Sequence, residues 1–322
     1  MKQAKAFSFL LWFIPVAATA QEPLSAIDWL DAPVSVNVAA PRSVAPDEDP
    51  IAQGVTIPDV AVMALGAQRS DSVGLLPSAT TGLPSHLWLA STKATLMAQL
   101  AALPDNALPA TQALYYTLLL AEADPPADAG DDAAFLISRL NALRMYGAVD
   151  PALALLDRAG PATPALFDTW FNMALLAGTE DAPCAALAKR PALTQHYSAR
   201  IYCTARAGDW QTAALTFETA HALGLLSPLE TDLLAQFLDP ETIDTGPDLA
   251  PTARMTPLIF RLYEAMGRPM PTGSLPRAYA MADLRPTAGW KARIEAAERL
   301  AQTGALPPNR LLGLYTERKP AA

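Results

Sequence analysis

Apolar and polar residues recur with a helical period through most of the chain. From Ser85 onward, Ala- and Leu-rich segments of roughly ten to eighteen residues place apolar side chains three and four positions apart. Pro, Gly or Asp separates these segments, and no run of β-branched residues predicts a strand. The pattern predicts an all-α domain over residues 85–322.

Turn and capping residues give the limits of the individual helices. Asp131 and Asp132 fit a first helical turn, and Asp150–Pro151 and Ser227–Pro228 fit a cap followed by the first helical residue. Glycine is typical of helix ends, and it predicts them at Gly147, Gly160, Gly178, Gly208, Gly224, Gly267 and Gly304. We expect helices near residues 86–102, 109–122, 131–146, 151–158, 164–177, 183–189, 192–207, 210–223, 228–237, 255–267, 275–283, 288–303 and 308–316. Short turns between them predict an array of helical hairpins.

Residues 21–84 have a different pattern. Frequent prolines exclude long helices and central strands there, so we predict a largely extended, Pro-rich, flexible arm. Within it, one helical turn would bring the apolar side chains of Leu24, Ile27, Trp29 and Leu30 together. Such a short helix is unstable alone, so it would dock on this protein's own helical domain or on a partner. Both interpretations remain open.

Residues 1–20 have the three parts of a secretory signal peptide. Lys2 and Lys5 precede an apolar run, and the triplet Ala18-Thr19-Ala20 predicts cleavage after Ala20. The run is shorter than the ~20 residues that span a bilayer. We therefore expect an exported, periplasmic protein with no transmembrane span.

Charge is unevenly distributed along the chain. The 322 residues carry a net charge of −9, yet the part from Arg254 onward is basic, with eleven Lys and Arg against five acids. The basic end could meet an acidic partner or the acidic end of a second copy, or its side chains could face water beside acidic neighbours. An acidic, exported chain argues against nucleic acid as a partner.

Two cysteines, Cys184 and Cys203, fall on two helices that we expect to pair across the turn at Arg190-Pro191. An oxidising compartment favours a disulfide between them. Two buried thiols and a redox site are the alternatives, but a redox site normally shows a Cys-x-x-Cys motif.

No combination of residues predicts catalysis, a cofactor or a metal. The histidines His86, His196 and His221 lie near three different helices, and none has a His or Cys three or four residues further on. The acidic cluster Asp124, Asp128, Asp131 and Asp132 has irregular spacing, which favours a helix-capping loop over a calcium site. The nucleophile-elbow, phosphate-loop and dinucleotide motifs are absent from the sequence.

One segment resembles the second half of a tetratricopeptide repeat. It runs Ala207-Gly208-Asp209-Trp210-Gln211-Thr212-Ala213 and continues with Phe217 and Ala220. The same offsets recur at Gly147, Ala152, Leu156 and Ala159, without the Asp and the aromatic residue. The resemblance implies an α-solenoid, a fold that binds partners on its concave face. On that face, the candidates in the helix before Gly208 are Tyr197, Arg200 and Arg206.

Two looser resemblances concern architecture alone. Exported Ala/Leu-rich helical hairpins are similar to the superhelical, non-catalytic region of soluble lytic transglycosylases, and the layout resembles uncharacterised exported alphaproteobacterial proteins. The transglycosylases use a catalytic Glu usually followed by Ser, a pair that this sequence lacks. We therefore expect a non-enzymatic scaffold that binds another protein of the cell envelope. The alternatives are a cell-wall hydrolase relative or accessory protein at peptidoglycan, and a self-associating structural protein.

Overall fold

A computed structural model describes residues 69–239 and 254–317, together with residues 241, 249 and 252. These residues are helical apart from turns and one isolated parallel bridge between Leu76 and Ala121. The predicted all-α class is therefore confirmed. No helix within the described ranges is long and apolar enough to cross a membrane. The predicted signal peptide and the apolar residues Leu24, Ile27, Trp29 and Leu30 lie outside the described residues.

Fourteen α-helices are present in the described part of the chain. They are α1 (Ser78–Thr81), α2 (Lys93–Ala101), α3 (Pro109–Leu120), α4 (Ala134–Met145), α5 (Val149–Ala159), α6 (Phe167–Ala177), α7 (Asp181–Lys189), α8 (Tyr197–Arg206), α9 (Trp210–Ala222), α10 (Pro228–Leu238), α11 (Pro257–Ala265), α12 (Ala280–Asp283), α13 (Trp290–Ala301) and α14 (Pro308–Thr316). Each predicted helix corresponds to one of α2–α14. The largest differences are at the starts of α2, α8 and α12, which were expected at residues 86, 192 and 275.

The capping predictions are confirmed at most helix ends. All seven predicted glycines adopt a left-handed backbone. Ser227 and Glu230 form a capping box at the start of α10. Two predictions at helix starts are wrong. α5 begins at Val149, so Asp150 lies inside its first turn, and α4 begins at Ala134, so Asp131 and Asp132 precede the first turn that they were predicted to occupy.

The two segments that resemble half-repeats are both helical hairpins. Gly147 joins α4 to α5 and Gly208 joins α8 to α9, with φ angles of 80° and 87°. The alanines that follow each turn, Ala152 and Ala213, are completely buried. Small side chains at these positions let the paired helices approach closely. Asp209 accepts a hydrogen bond from the Thr212 N–H at 3.1 Å and so caps α9.

Packing also joins helices that are distant in sequence. Both α11 and α12 pack on α6, and α13 shares one apolar core with α4 and α5. The Thr303 hydroxyl donates to the Tyr146 carbonyl at 2.7 Å, across 157 residues of chain. A second core lies among α6 to α11. The C-terminal helices therefore close back onto the middle of the domain.

The helical body begins before residue 85, where the sequence analysis placed the boundary with the arm. Residues 70–72 form a 3₁₀ turn, and Asp71 and Val73 are buried. The backbone of Gly74 passes so close to Glu122 that a β-carbon would lie 2.1 Å from the Glu122 nitrogen. Residues 70–76 are thus part of the packed domain.

Arg139 of α4 holds this segment in place. Its side chain is 1% exposed and donates hydrogen bonds to the carbonyls of Val73 at 2.8 Å, Leu119 at 2.7 Å and Ala121 at 2.9 Å. Burial lowers the pKa of Arg139 to about 10, so the guanidinium remains charged at neutral pH. Asp71 accepts the N–H of Leu136 at 2.7 Å and caps α4 from 65 residues away.

Candidate binding grooves

The three predicted partner-binding residues line one surface groove. Tyr197, Arg200 and Arg206 line it from α8, and α7 and α9 complete its walls. We call it the disulfide groove, because both cysteines also line it. Its volume is about 600 Å³, within the range of ligand-binding clefts.

The disulfide connects the two helices that form the groove. Cys184 belongs to α7 and Cys203 to α8, and their sulfur atoms lie 1.97 Å apart. The predicted pairing of the two helices is thus observed, with a 3₁₀ turn at Pro191–Leu193 between them. The bond fixes the position of α7 relative to α8.

Tyr197 and Arg200 form a preorganised pair on the groove wall. The Arg200 guanidinium stacks over the Tyr197 ring at 4.8 Å from the centroid. It also donates to the Thr194 carbonyl at 2.6 Å. Within the described ranges, the buried Nε of Arg200 has no hydrogen-bond partner. A planar cation fixed on an aromatic ring can receive an acidic or aromatic side chain without further ordering.

Arg206 has a different environment. It pairs with Glu180 at 3.1 Å and with Asp181 at 2.7 Å, at the start of α7. Burial opposes its charge, but the hydrogen bond to Asp181 and the nearby carboxylates hold the pKa of Arg206 above its ordinary value. Arg206 therefore stabilises the groove wall through contacts within the protein.

A second and larger groove lies beside the first. It has a volume of about 1130 Å³ and is lined from α8, α11, α12 and α13, and we call it the C-terminal groove. Four arginines line it: Arg206, Arg261, Arg285 and Arg299. Arg206 lines both grooves and so forms part of the wall between them.

A buried carboxylate organises one wall of the C-terminal groove. Glu180 is 1% exposed, and its Oε1 accepts from Arg261 at 2.8 Å, from Arg206 and from the Tyr202 hydroxyl at 3.1 Å. Burial and the Glu180 charge raise the pKa of Tyr202 to about 12, so its hydroxyl stays a donor. Glu264 continues the chain of charges by pairing with Arg261 at 2.5 Å and with Arg285.

The opposite wall has fewer ion pairs. Arg299 donates to the carbonyls of Thr272, at 2.8 Å, and Leu275, and among the described residues it pairs with no carboxylate. Asp283 accepts the Thr272 hydroxyl. Burial and the charge of Glu264 raise the pKa of Asp283 above its ordinary value, although Thr272 and Arg285 act against the shift.

The remaining candidates from the sequence are the histidines and the acidic cluster. Among the residues that the structure covers, no three His, Cys, Asp or Glu side chains are placed to hold a metal ion. His196 lies 3.6 Å from Asp168. Asp128 accepts from the first N–H of α2 at 2.7 Å, and Asp132 accepts from Ala134 at the start of α4 at 3.2 Å. These two members of the acidic cluster act as helix caps, as the sequence favoured.

The buried charged network around Glu180 has no signature in the sequence. Glu180 and Arg261 are 81 residues apart, and neither belongs to a motif. The only signal was the density of arginines beyond residue 254, without any indication of their acidic partners. Comparison of the chain with protein-family models, curated proteins and solved structures finds no match.

Proposed function

We propose that this chain is an exported, non-catalytic scaffold that binds a segment of another envelope protein in the disulfide groove. The observation that carries the proposal is the convergence of Tyr197, Arg200 and the two cysteines on one concave surface. The Tyr197–Arg200 stack supplies a rigid anchor of the kind that dominates protein interfaces. The partner segment should therefore present an acidic or aromatic side chain to this stack.

The surrounding architecture supports the same role. The hairpins at Gly147 and Gly208 fit a degenerate tetratricopeptide-like solenoid, whose concave side is a protein-binding surface. The disulfide suits an oxidising compartment, in agreement with the signal peptide proposed for residues 1–20 and a periplasmic location. Leu24, Ile27, Trp29 and Leu30 of the proposed arm are a candidate second contact, which would raise the effective concentration of the partner.

Site-specific photo-crosslinking tests the groove. A photoreactive residue replaces Ala188, which lines the groove and is exposed, in the full-length protein produced in its native cell. We expect a discrete crosslinked product with one partner. The same residue at Leu312, which is 62% exposed on α14, serves as the control position and should give no such product.

Two substitutions then connect the product to the proposed anchor. Tyr197→Ala and Arg200→Ala should each reduce the Ala188 crosslink at least fivefold, whereas Arg158→Ala, at an exposed position on α5, should not. Arg206 is unsuitable for this test because its removal breaks the ion pairs with Glu180 and Asp181 that stabilise the groove wall. Equal products at positions 188 and 312, or no effect of Tyr197→Ala and Arg200→Ala, would contradict the proposal.

An accessory role at peptidoglycan is the second candidate, and the C-terminal groove favours it. Guanidinium groups bind carboxylates in a bidentate manner, and peptidoglycan carries carboxylates on its peptides. Arg299 is the arginine of this groove with no acidic partner among the described residues. Glu264 is held by two arginines and is poorly placed to act as a catalytic acid.

Cosedimentation with purified peptidoglycan tests this alternative. We expect binding that weakens as salt rises and that falls several-fold in Arg299→Gln. Lys291→Gln is the control, because Lys291 is an exposed cation on the same helix that is absent from the lining of the groove. Equal losses in the two variants would indicate nonspecific attraction.

A further inference from the structure

The disulfide joins the two helices that wall the disulfide groove. Cys184 lies in α7 and Cys203 in the second half of α8, and both line the groove. Ala188 extends the α7 wall beyond the bond, while Tyr197 and Arg200 belong to the α8 wall. The distance between the two walls therefore depends on how firmly α7 is held against α8.

The α7 helix is less deeply packed than α8. Pro183 and Leu187 are the buried residues among the nine of α7, whereas six of the ten residues of α8 are buried. Among the described residues that form the two cores, α7 supplies one buried side chain, Leu187, to the second core and none to the first. Both cores therefore depend little on α7.

The attachments of α7 differ between its two halves. Its start is held by ion pairs of Glu180 and Asp181 with Arg206, at 3.1 and 2.7 Å. The second half, residues 185–189, is held by the disulfide at Cys184, by the burial of Leu187 and by one surface hydrogen bond just after the helix. Breaking the disulfide removes the covalent attachment of this second half.

Reduction of the bond by a dithiol is a balanced exchange. Cys184 is the more exposed of the two cysteines, since Cys203 is 6% exposed. A thiolate of an exported dithiol attacks the Cys184 sulfur, and Cys203 leaves as a thiolate that takes up a proton. The second thiol of the donor then displaces Cys184, so the donor becomes a disulfide and this chain gains two thiols. The chain is a substrate of this exchange and needs no Cys-x-x-Cys motif of its own.

We propose that the Cys184–Cys203 bond is a redox switch for the disulfide groove, an inference that rests on the binding role proposed above. In the oxidised chain, α7 is fixed opposite the stacked Tyr197 and Arg200, and the groove binds the partner segment. Reduction by an exported dithiol releases residues 185–189 and weakens that binding, while both cores stay folded.

Hydrogen exchange measures the release of α7 in the absence of a partner. The oxidised full-length protein is compared with the same protein after dithiothreitol treatment and with the double variant Cys184→Ala/Cys203→Ala. The sequence has two cysteines, so dithiothreitol has no other disulfide to reduce within the chain. We expect the amides of residues 185–189 to exchange at least tenfold faster in the reduced protein and in the variant. The amides of α4 and α5 are the control and should change less than twofold.

Photo-crosslinking then measures binding from the wall that stays in place. The photoreactive residue replaces Ala207, which is exposed and lines the groove at the end of α8. In a native envelope fraction, we expect the crosslinked product to fall at least fivefold after reduction and to return after reoxidation. The double variant should show the same loss. By reciprocity, bound partner should lower the equilibrium constant for reduction by the factor by which reduction lowers the affinity.

Four results would overturn the switch: a disulfide that dithiothreitol leaves intact in the folded protein, unchanged exchange of residues 185–189, faster exchange throughout α4 and α5, or equal crosslinks in the parent protein and the double variant. The third result would make the bond a support of the whole domain. A parent protein that gives no crosslink from position 207 refutes the binding role and with it the control of binding. The exchange data separately decide whether the bond controls α7.

Discussion

At the scale of single residues, the decisive side chains have partners that are distant in sequence. A basic residue on an amphipathic helix is expected to face water, but Arg139 is buried and bonded to carbonyls on two other segments. Its partners lie 18 to 68 residues away. Helical periodicity shows only which face of a single helix is apolar. The sequence therefore could not reveal these hydrogen bonds between Arg139 and distant segments.

Replacing Arg139 should therefore destabilise the whole domain. Arg139→Met removes the donors for the carbonyls of Val73, Leu119 and Ala121 and leaves them buried without partners. We expect a loss of about 3–5 kcal/mol in the free energy of unfolding, measured by urea denaturation. Arg144→Met, at an exposed position on the same helix, should cost less than about 0.5 kcal/mol. Equal effects of the two substitutions would show that the hydrogen bonds of Arg139 contribute little to stability.

Asp71 makes the stability of the same region depend on pH. Burial and the charge of Asp132 raise its pKa, although the Leu136 N–H and Arg139 act in the opposite direction. The folded state then holds a proton that the unfolded state has already released. Stability contributed by this group is complete below the unfolded pKa of 3.8 and is lost as pH rises through the raised folded value.

The comparison of the parent protein with Asp71→Asn isolates this effect. Asparagine keeps an acceptor for the Leu136 N–H and has no charge to desolvate. We expect the parent protein to lose stability relative to Asp71→Asn as pH increases from 3.8, measured by urea denaturation across the acidic range. A difference that is constant with pH would refute the assignment.

At the scale of helices and turns, much of the fold could be predicted. The seven glycine turns and the capping box at Ser227 depend on neighbouring residues, and the sequence predicts such local features well. The starts of α2 and α8 were predicted too early because helical periodicity continued into irregular turns. The Asp71 cap on α4 was missed because capping rules consider only adjacent residues.

Two glycines separate the effect of backbone conformation from the effect of packing against a distant helix. Gly147 and Gly208 have nearly the same φ, but a β-carbon at Gly147 would lie 2.5 Å from the Leu300 side chain, while the space around Gly208 is open. Gly208→Ala should cost about 1 kcal/mol from backbone strain alone, and Gly147→Ala about 2–4 kcal/mol. Chemical denaturation of the two variants measures the difference. Similar losses would mean that α13 moves away at little cost.

At the scale of the whole molecule, the C-terminal helices decide whether the protein behaves as a chain of repeats. In a solenoid each unit contacts its neighbours, so terminal units can be removed with a local effect. Here α13 supplies Ala297 and Leu300 to the core that contains α4 and α5. Closure of this kind depends on the whole sequence and could not be read from repeat spacing.

Two truncations test this closure. Ending the chain after Gly289 removes α13 and α14 and should abolish cooperative unfolding of the remaining domain, followed by circular dichroism. Ending it after Leu306 removes only α14, which contains no fully buried residue, and should leave a cooperative but weaker transition. Retention of a cooperative transition after Gly289 would favour independent repeats.

The candidate sites could be predicted only in part. The sequence identified Tyr197, Arg200, Arg206 and the cysteine pair as candidates. The hairpin at Gly208 could be predicted from neighbouring residues, and an oxidising compartment favours a disulfide. The C-terminal groove depends on helices brought together from different parts of the chain. Its shape follows from packing, which a single sequence does not display.

The contact between Thr303 and Tyr146 also has a consequence for how the chain is made. Synthesis proceeds from the N-terminus, so the α4–α5 hairpin emerges 157 residues before the segment that covers it. At ~5–20 residues per second, its apolar face has no final partner for about 8–30 s. We therefore expect the yield of folded protein to depend on translation speed more than that of a domain that closes locally.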